Sequence, residues 1–348
     1  MRLLCLLLLL LLVGSSAAYT GSPSTTTSVS ARRQRRLLKP PFPNGKCGGT
    51  VLSIPPSDTF AVDTHLNGNT FVLPPRPVHV WLPPDYCRAS HRRQRYATLY
   101  CHDGQNVVSD QMSWSGHSWR LTGALTTIRQ AGLLRIPTIV VMIPSSAEHL
   151  VPGLVRRRHL EYADSGVFAD AHAKLVAETI KPWIDHHFDT NPHECYTMGT
   201  SMGGQASLQL LLRYPTLFAG AACLSPYFHP NTIARAVQSV DVLSTKRLYM
   251  DIGGDMGNTK VPLVDLMDHL TAAGEPKLSN TGYFWLDTQL QPGVHAMRHA
   301  LRQAGLDDDD NEGLLAFYQE PGGRHNERAW AQRIDRPLLH LLGTANVH

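Results

Sequence analysis

The sequence has little of what an extended binding surface or a charged partner requires. Aromatic residues are only 7% and charged residues only 17% of its 348 positions, which excludes a Trp/Tyr-rich binding module and a charge-rich disordered chain. No repeat of fixed period is present, which excludes a solenoid or propeller. Beyond the first residues no apolar run approaches the ~18 positions of a membrane-crossing helix. No Asn-x-Ser/Thr triplet offers an N-glycosylation site. Asp and Glu are missing from the first 36 residues, which hold Arg2, Arg32, Arg33, Arg35 and Arg36. Setting these five aside from the 32 Lys and Arg leaves 27 basic against 28 acidic residues, so the formal charge of +4 belongs to the N-terminus. The remainder is near neutral and has no overall positive field, so no nucleic-acid partner is expected.

What is present starts with an address. Arg2, the apolar run Leu3 to Val13 and the small residues Ser16-Ala17-Ala18 read as a signal peptide over 1–18. The run is too short to span a bilayer comfortably, so a secreted, extracellular protein with no membrane anchor after cleavage is expected. Residues 19–45 read as a Ser/Thr-rich and basic linker or pro-segment. Within it Arg32 to Arg36 is either a dibasic processing site or a solvated spacer. Residues 46–348 read as a single domain, with 43% hydrophobic residues to fill a core. Of the five cysteines left after the signal, Cys101, Cys195 and Cys223 sit in apolar, strand-like runs and read as small buried hydrophobes. An oxidising compartment offers Cys47 and Cys87 as a disulfide pair.

From about residue 50, strand-like and helix-like segments alternate. Val78 to Leu82, Tyr96 to Cys101, Pro137 to Ile143, Tyr196 to Met198, Ala221 to Leu224, Arg247 to Ile252 and Leu314 to Gln319 read as strands. Ala171 to His187, Ser207 to Tyr214, Asp265 to Ala273 and Arg328 to Leu342 read as helices. This alternation predicts an α/β fold with a mostly parallel central sheet covered by helices on both faces. The acidic run Asp307 to Asp310 reads as a solvated turn, because the ~12-residue calcium-loop pattern is absent.

Gly199-Thr200-Ser201-Met202-Gly203 carries the chemistry. It is a G-x-S-x-G pattern with a strand before it and a helix after it, the setting of a nucleophile elbow. The glycines remove Cβ atoms that would clash in so sharp a turn. Ser201 is left at the apex, and the Met202 N–H points at the reacting oxygen. A serine hydroxyl needs a base near neutral pH. His325, on a Gly-rich loop just after the last strand, is the best placed. His295 and His299, four apart on a helix, lack a third metal ligand and read as surface residues, and His186-His187 reads as a helix C-terminus. The orienting acid should follow a strand between Ser201 and His325. That gives Asp255 after Gly253-Gly254, with Asp251 inside the strand as the alternative. His102-Asp103-Gly104-Gln105-Asn106 follows an early strand and offers the Gln105 N–H as the second oxyanion donor.

With these residues in place, the chain resembles the esterase family of α/β-hydrolases that includes enterochelin, feruloyl and acetylxylan esterases, S-formylglutathione hydrolase and mycolyl transferases. The matching blocks, in family order over about residues 75–343, are Val80 to Tyr86, Leu99 to Asn106, Arg158 to Tyr162, Glu178 to Ile184, Gly199 to Gly204, Arg213 to Leu217, Leu224 to Pro226, and Gly323 to Glu327 with Trp330. The resemblance implies an α/β-hydrolase fold, Ser201 as nucleophile, His325 as base, and the Met202 and Gln105 amides as the oxyanion hole. Many relatives place the acid three residues after the glycine that ends the strand. Counted from Gly253 that position is Met256, one past Asp255.

The expected reaction is hydrolysis of a carboxylic ester through an acyl-enzyme, with no metal or organic cofactor. The expected partner is a small-molecule or polysaccharide ester. Gln111 to Trp119, with two tryptophans, is either a cleft lining or a packed loop. Two rivals accompany this reading. One is an acyltransferase using the same triad, and the other a catalytically silent binding protein on the same scaffold.

Overall fold

Continuous apolar runs ended by Pro or Gly become strands buried on both faces, and the helical repeats between them carry one apolar stripe each. A computed structural model describes residues 38–56, 62–66, 69–86, 94–151, 155–254, 283–306 and 314–344. Among them, one eight-stranded sheet has the order β1-β4-β6-β5-β9-β10-β11-β12. These strands are Thr50–Ile54, Val78–Leu82, Thr138–Ile143, Tyr96–His102, Thr190–Thr200, Gly220–Leu224, Arg247–Ile252 and Leu315–Gln319, respectively. From β6 to β12 all neighbours pair in parallel, while β4 runs antiparallel to both β1 and β6. Two small antiparallel pairs lie outside the sheet, β2 (Val62–Leu66) with β3 (Asn69–Leu73) and β7 (His149–Val151) with β8 (Val155–Arg156).

Helices cover both faces. Side chains alternate across a strand, so Tyr100 of β5 enters one apolar cluster while Leu99 and Cys101 enter the other. The Tyr100 face is covered by α3 (Val167–Lys174), α4 (Lys181–His187), α5 (Met202–Arg213), α6 (Pro230–Gln238) and α8 (Tyr283–Gln303). The Leu99 face is covered by α1 (Leu121–Gln130) and α10 (Asp335–Leu342). The shorter helices are α2 (Arg157–Glu161), α7 (Val240–Leu243) and α9 (Glu327–Ala331). Truncating a core side chain such as Leu99 or Val140, both 0% exposed, costs about 2–5 kcal/mol.

Most expected elements are present, with informative differences. The expected helix over 171–187 is α3 and α4 joined by a π-helical turn at Leu175–Ile180. The expected C-terminal helix is split into α9 and α10, with Arg333 between them turned into the protein interior, where it bonds Asp251. The strand expected at Tyr196 to Met198 is longer, Thr190–Thr200, and its N-terminal part meets β5 at Thr190 opposite Tyr96, across a register shift before Cys195. Residues 38–45, expected to be linker, pack on the domain. Leu38 and Phe42 are buried, the Gly45 N–H donates to the Val108 carbonyl, and Thr122 Oγ1 donates to the Gly45 carbonyl at 2.7 Å.

Cys101, Cys195 and Cys223 are buried free thiols, and burial pushes the Cys195 thiol up to about 12. Cys47 is half-buried with its thiol on the Gly45 carbonyl. Its expected partner Cys87, the 1–18 segment, the Arg32 to Arg36 run, the expected helix at Asp265 to Ala273 and the acidic run at 307–310 lie outside the described residues. Among the described residues no helix is long and apolar enough to cross a membrane.

Candidate active site

The strand order reverses direction at β5: the chain leaves β5 for β6 on one side and later returns to β9 on the other. In such sheets the loops after the two diverging strands separate and leave a crevice at the carboxyl edge. The loops after β5 and β9 carry Gln105 and Ser201.

Ser201 stands between the end of β9 and the start of α5 with φ 56° and ψ −126°. A non-glycine residue with positive φ is strained and persists only where its surroundings hold it. Its N–H donates to the Leu224 carbonyl at 2.9 Å, and its carbonyl accepts from the Gly204, Gln205 and Tyr227 amides. The flanking glycines are needed for space. A Cβ on Gly199 would lie 2.4 Å from the backbone carbon and oxygen of Gly203, and one on Gly203 would lie 3.0 Å from Asp103 Oδ2. Met202 is the first residue of α5, so its N–H lacks an acceptor one turn back and faces outward at the positive end of the helix.

The turn after β5 is equally constrained. Asp103 has φ 53° and opens a short 3₁₀ turn, Gly104–Asn106. Its carboxylate is held by Arg158 of α2 through two bonds of 2.7 Å, and its N–H donates to the Tyr162 hydroxyl at 3.1 Å. A Cβ on Gly104 would come within 2.4 Å of the Ile143 nitrogen, so this turn lies flat against β6. The Gln105 side chain is clamped by Ser145, donating to Ser145 Oγ and accepting from the Ser145 N–H, both at 3.1 Å. The Gln105 backbone is thus fixed beside the elbow. Burial raises the Tyr162 hydroxyl's pKa strongly, with the Asp103 charge adding to it, so it stays protonated.

His325 follows β12 and is 3% exposed, with its ring 5.0 Å from that of Trp330 in an edge contact. The loop that carries it is zipped to the end of β11: the Gly254 N–H donates to the Gly323 carbonyl at 2.8 Å and the Glu320 N–H to the Ile252 carbonyl at 2.9 Å. Asp255, next to Gly254, lies outside the described residues. Asp251 is fully buried and engaged elsewhere. Its oxygens accept from Arg333 Nε at 3.0 Å and Nη2 at 3.2 Å, from the Ser225 N–H at 2.9 Å and from the Tyr249 hydroxyl at 3.2 Å.

Of the two tryptophans in Gln111 to Trp119, Trp119 is core at 0% exposed, while Trp114 is 46% exposed. His295 lies against Phe317 and burial lowers its pKa, whereas His299 is exposed. Among the described residues no His, Cys, Asp and Glu cluster is arranged to hold a metal. Arg158, Asp103 and Tyr162 frame the Gln105 turn, a role that local sequence does not announce. Their signal was the clustering of Arg158-His159-Leu160-Glu161-Tyr162 among the matching blocks, which carries no mechanism until the fold brings it to Asp103. Glu161 of the same block makes a buried two-bond pair with Arg76 at 2.7 Å.

The fold is shared widely. The siderophore hydrolase EstB from Aspergillus nidulans superposes with a TM-score of 0.54 at 17% identity, over 85% of this chain and 94% of that one. The CE1 ferulic acid esterase AmCE1/Fae1A from Anaeromyces mucronatus gives 0.52 at 13% identity, over 89% and 99%. The enterobactin esterase FES from Shigella flexneri gives 0.50 at 14% identity over 87% of this chain, which spans only 62% of that longer protein. No curated protein matches the chain. The family model described as "Putative esterase" matches residues 74–341, a stretch that contains the elbow, the Gln105 turn and the His325 loop. The chain therefore belongs to the esterase family of α/β-hydrolases.

Proposed function

We propose that the protein is a secreted serine esterase that hydrolyses a carboxylic ester through an acyl-enzyme. The observation that carries this reading is the conformation of Ser201, held at positive φ at the sheet's carboxyl edge with a helix N-terminus directly behind it. Strain of this kind clusters where a side chain must be presented for reaction. Ser201 Oγ attacks the ester carbonyl while His325 takes its proton. The tetrahedral oxyanion accepts from the Met202 and Gln105 amides, each worth about 3–4 kcal/mol in the transition state. His325 then protonates the leaving alcohol, and water releases the acid by the same steps in reverse.

Asp255 is the acid that orients His325. Asp251 is committed to Arg333, and the Gly254–Gly323 bond holds the residue before Asp255 beside the His325 loop. Both support the choice. The substrate class is a small-molecule or polysaccharide ester met outside the cell, an assignment that follows from the Leu3 to Val13 leader. The test reacts the wild type and Ser201→Ala with a fluorophosphonate probe and with p-nitrophenyl acetate. Labelling and hydrolysis present in the wild type and lost in Ser201→Ala are the expected result. A folded wild type that neither labels nor hydrolyses refutes the serine mechanism.

A further inference from the structure

Glu327 stands two positions after His325, and its side chain is buried at 3% exposed. It opens α9, which Asn326 caps by accepting from the Ala329 N–H at 3.0 Å. A buried carboxylate is tolerated only when its oxygens are bonded, and the partners here come from a distant part of the chain. Asn106 Nδ2 donates to Glu327 Oε1 at 3.2 Å, and Trp114 Nε1 donates to the same oxygen at 3.0 Å.

Asn106 can face the acid in only one way. Its Oδ1 already accepts from Ser113 Oγ at 3.1 Å and from the Trp114 N–H at 3.3 Å, so its NH₂ is turned to Glu327. Its backbone is bonded on both sides, the N–H to the Asp103 carbonyl at 2.9 Å and the carbonyl to the Trp119 N–H at 2.8 Å. Asn106 directly follows Gln105. Glu327 therefore joins the segment that carries the base to the turn that carries an oxyanion donor.

The geometry points to Glu327 as a positioning residue for acyl transfer, whose carboxylate holds the His325 loop and the Gln105–Asn106 turn in one register so that base and oxyanion donor meet the same carbonyl. This rests on the serine-esterase reading above. The charged groups facing the carboxylate are His325 on its own segment and Arg158 from α2, which is itself paired with Asp103. Burial raises the pKa of Glu327, while its polar surroundings, the Trp114 bond among them, and the nearby His325 oppose the rise.

The test compares wild type, Ser201→Ala, Glu327→Gln, Glu327→Ala and Trp114→Phe by fluorophosphonate labelling, p-nitrophenyl acetate kinetics across pH, and thermal unfolding. Glu327→Ala is expected to lose about 10–100-fold in kcat, the scale of a misplaced catalytic group, with KM within about twofold of wild type. Glu327→Gln keeps the shape and one acceptor oxygen. It should recover part of that loss, again with KM within about twofold of wild type. Trp114→Phe removes one donor at an exposed position and should lower kcat a few-fold (roughly the weakening of one hydrogen bond). If Glu327→Ala does not fold, Glu327→Gln and Trp114→Phe carry the test. Unchanged kcat in the folded Glu327 variants, with Ser201→Ala inactive, overturns the role of Glu327 and leaves the serine mechanism standing. Labelling and hydrolysis that survive Ser201→Ala overturn that mechanism itself, and this role with it.

Discussion

Asp251→Asn is a sharp perturbation because it separates a structural carboxylate from a catalytic one. Both Asp251 and Arg333 have 0% exposed side chains. In the variant the oxygen nearest Ser225 is kept, but an NH₂ group replaces the oxygen that accepts from Arg333 Nε at 3.0 Å and Tyr249 at 3.2 Å. The guanidinium is left buried with donors aimed at a donor and no countercharge. Breaking one side of such a pair costs about 3–5 kcal/mol, a large share of the ~5–15 kcal/mol by which domains are stable. At about 2–4 °C per kcal/mol for a domain of this size or somewhat smaller, Tm should fall by roughly 10 °C. The assay is thermal unfolding followed by circular dichroism, with kcat measured well below the transition. Adding Arg333→Met to Asp251→Leu should recover part of the loss, since it removes the cost of burying charge altogether. The reasoning is refuted if Asp251→Asn keeps the wild-type Tm and instead lowers kcat by about 10⁴, the signature of a lost triad acid.

Gly199→Ala places a methyl group 2.4 Å from the Gly203 carbonyl; the forced shift of the elbow should cost about 1–3 kcal/mol and slow fluorophosphonate labelling of Ser201, and wild-type labelling and Tm together would show that the elbow has slack. Acid sensitivity should come from two buried histidines under the elbow. Burial lowers the His102 pKa to about 4 and that of His172 well below the ordinary value, with the neighbouring His102 and Arg76 charges adding to the latter. Below the unfolded value of about 6.5 the unfolded chain binds protons that the folded chain refuses, so the stability is complete above that pH and is lost as the pH falls towards 4. For His102 alone this amounts to roughly 3 kcal/mol. His172→Phe, at a ring with neither nitrogen hydrogen-bonded among the described residues, should keep Tm at pH 7 and flatten its fall between pH 6.5 and 4.5; an unchanged slope in urea-unfolding measurements would assign the acid sensitivity elsewhere.

The sequence by itself determined the layers and the sheet edge that presents Ser201. Runs such as Thr138–Ile143, apolar at every position after the first, have no stable place except a strand covered on both faces. The glycines around Ser201 are legible because only a residue without a Cβ fits so tight a turn, and that constraint is local. The Gly-rich loop with His325 is local in the same sense, since its distance from the last strand can be counted along the chain. What only the tertiary structure decided concerns partners far apart in sequence. Asp251 and Arg333 are 82 positions apart, and nothing near either announces the other. Asn106 and Glu327 are separated by 221 positions and meet only because β5 and β12 send their loops to one edge of the sheet. The same holds for Trp114 and Trp119, identical in type and five apart, one exposed and one core. Local patterning reports which backbone a segment adopts. Which charge is neutralised, which ring is covered and which loop braces another depend on strand order and crossovers, and these are fixed by packing across the whole domain.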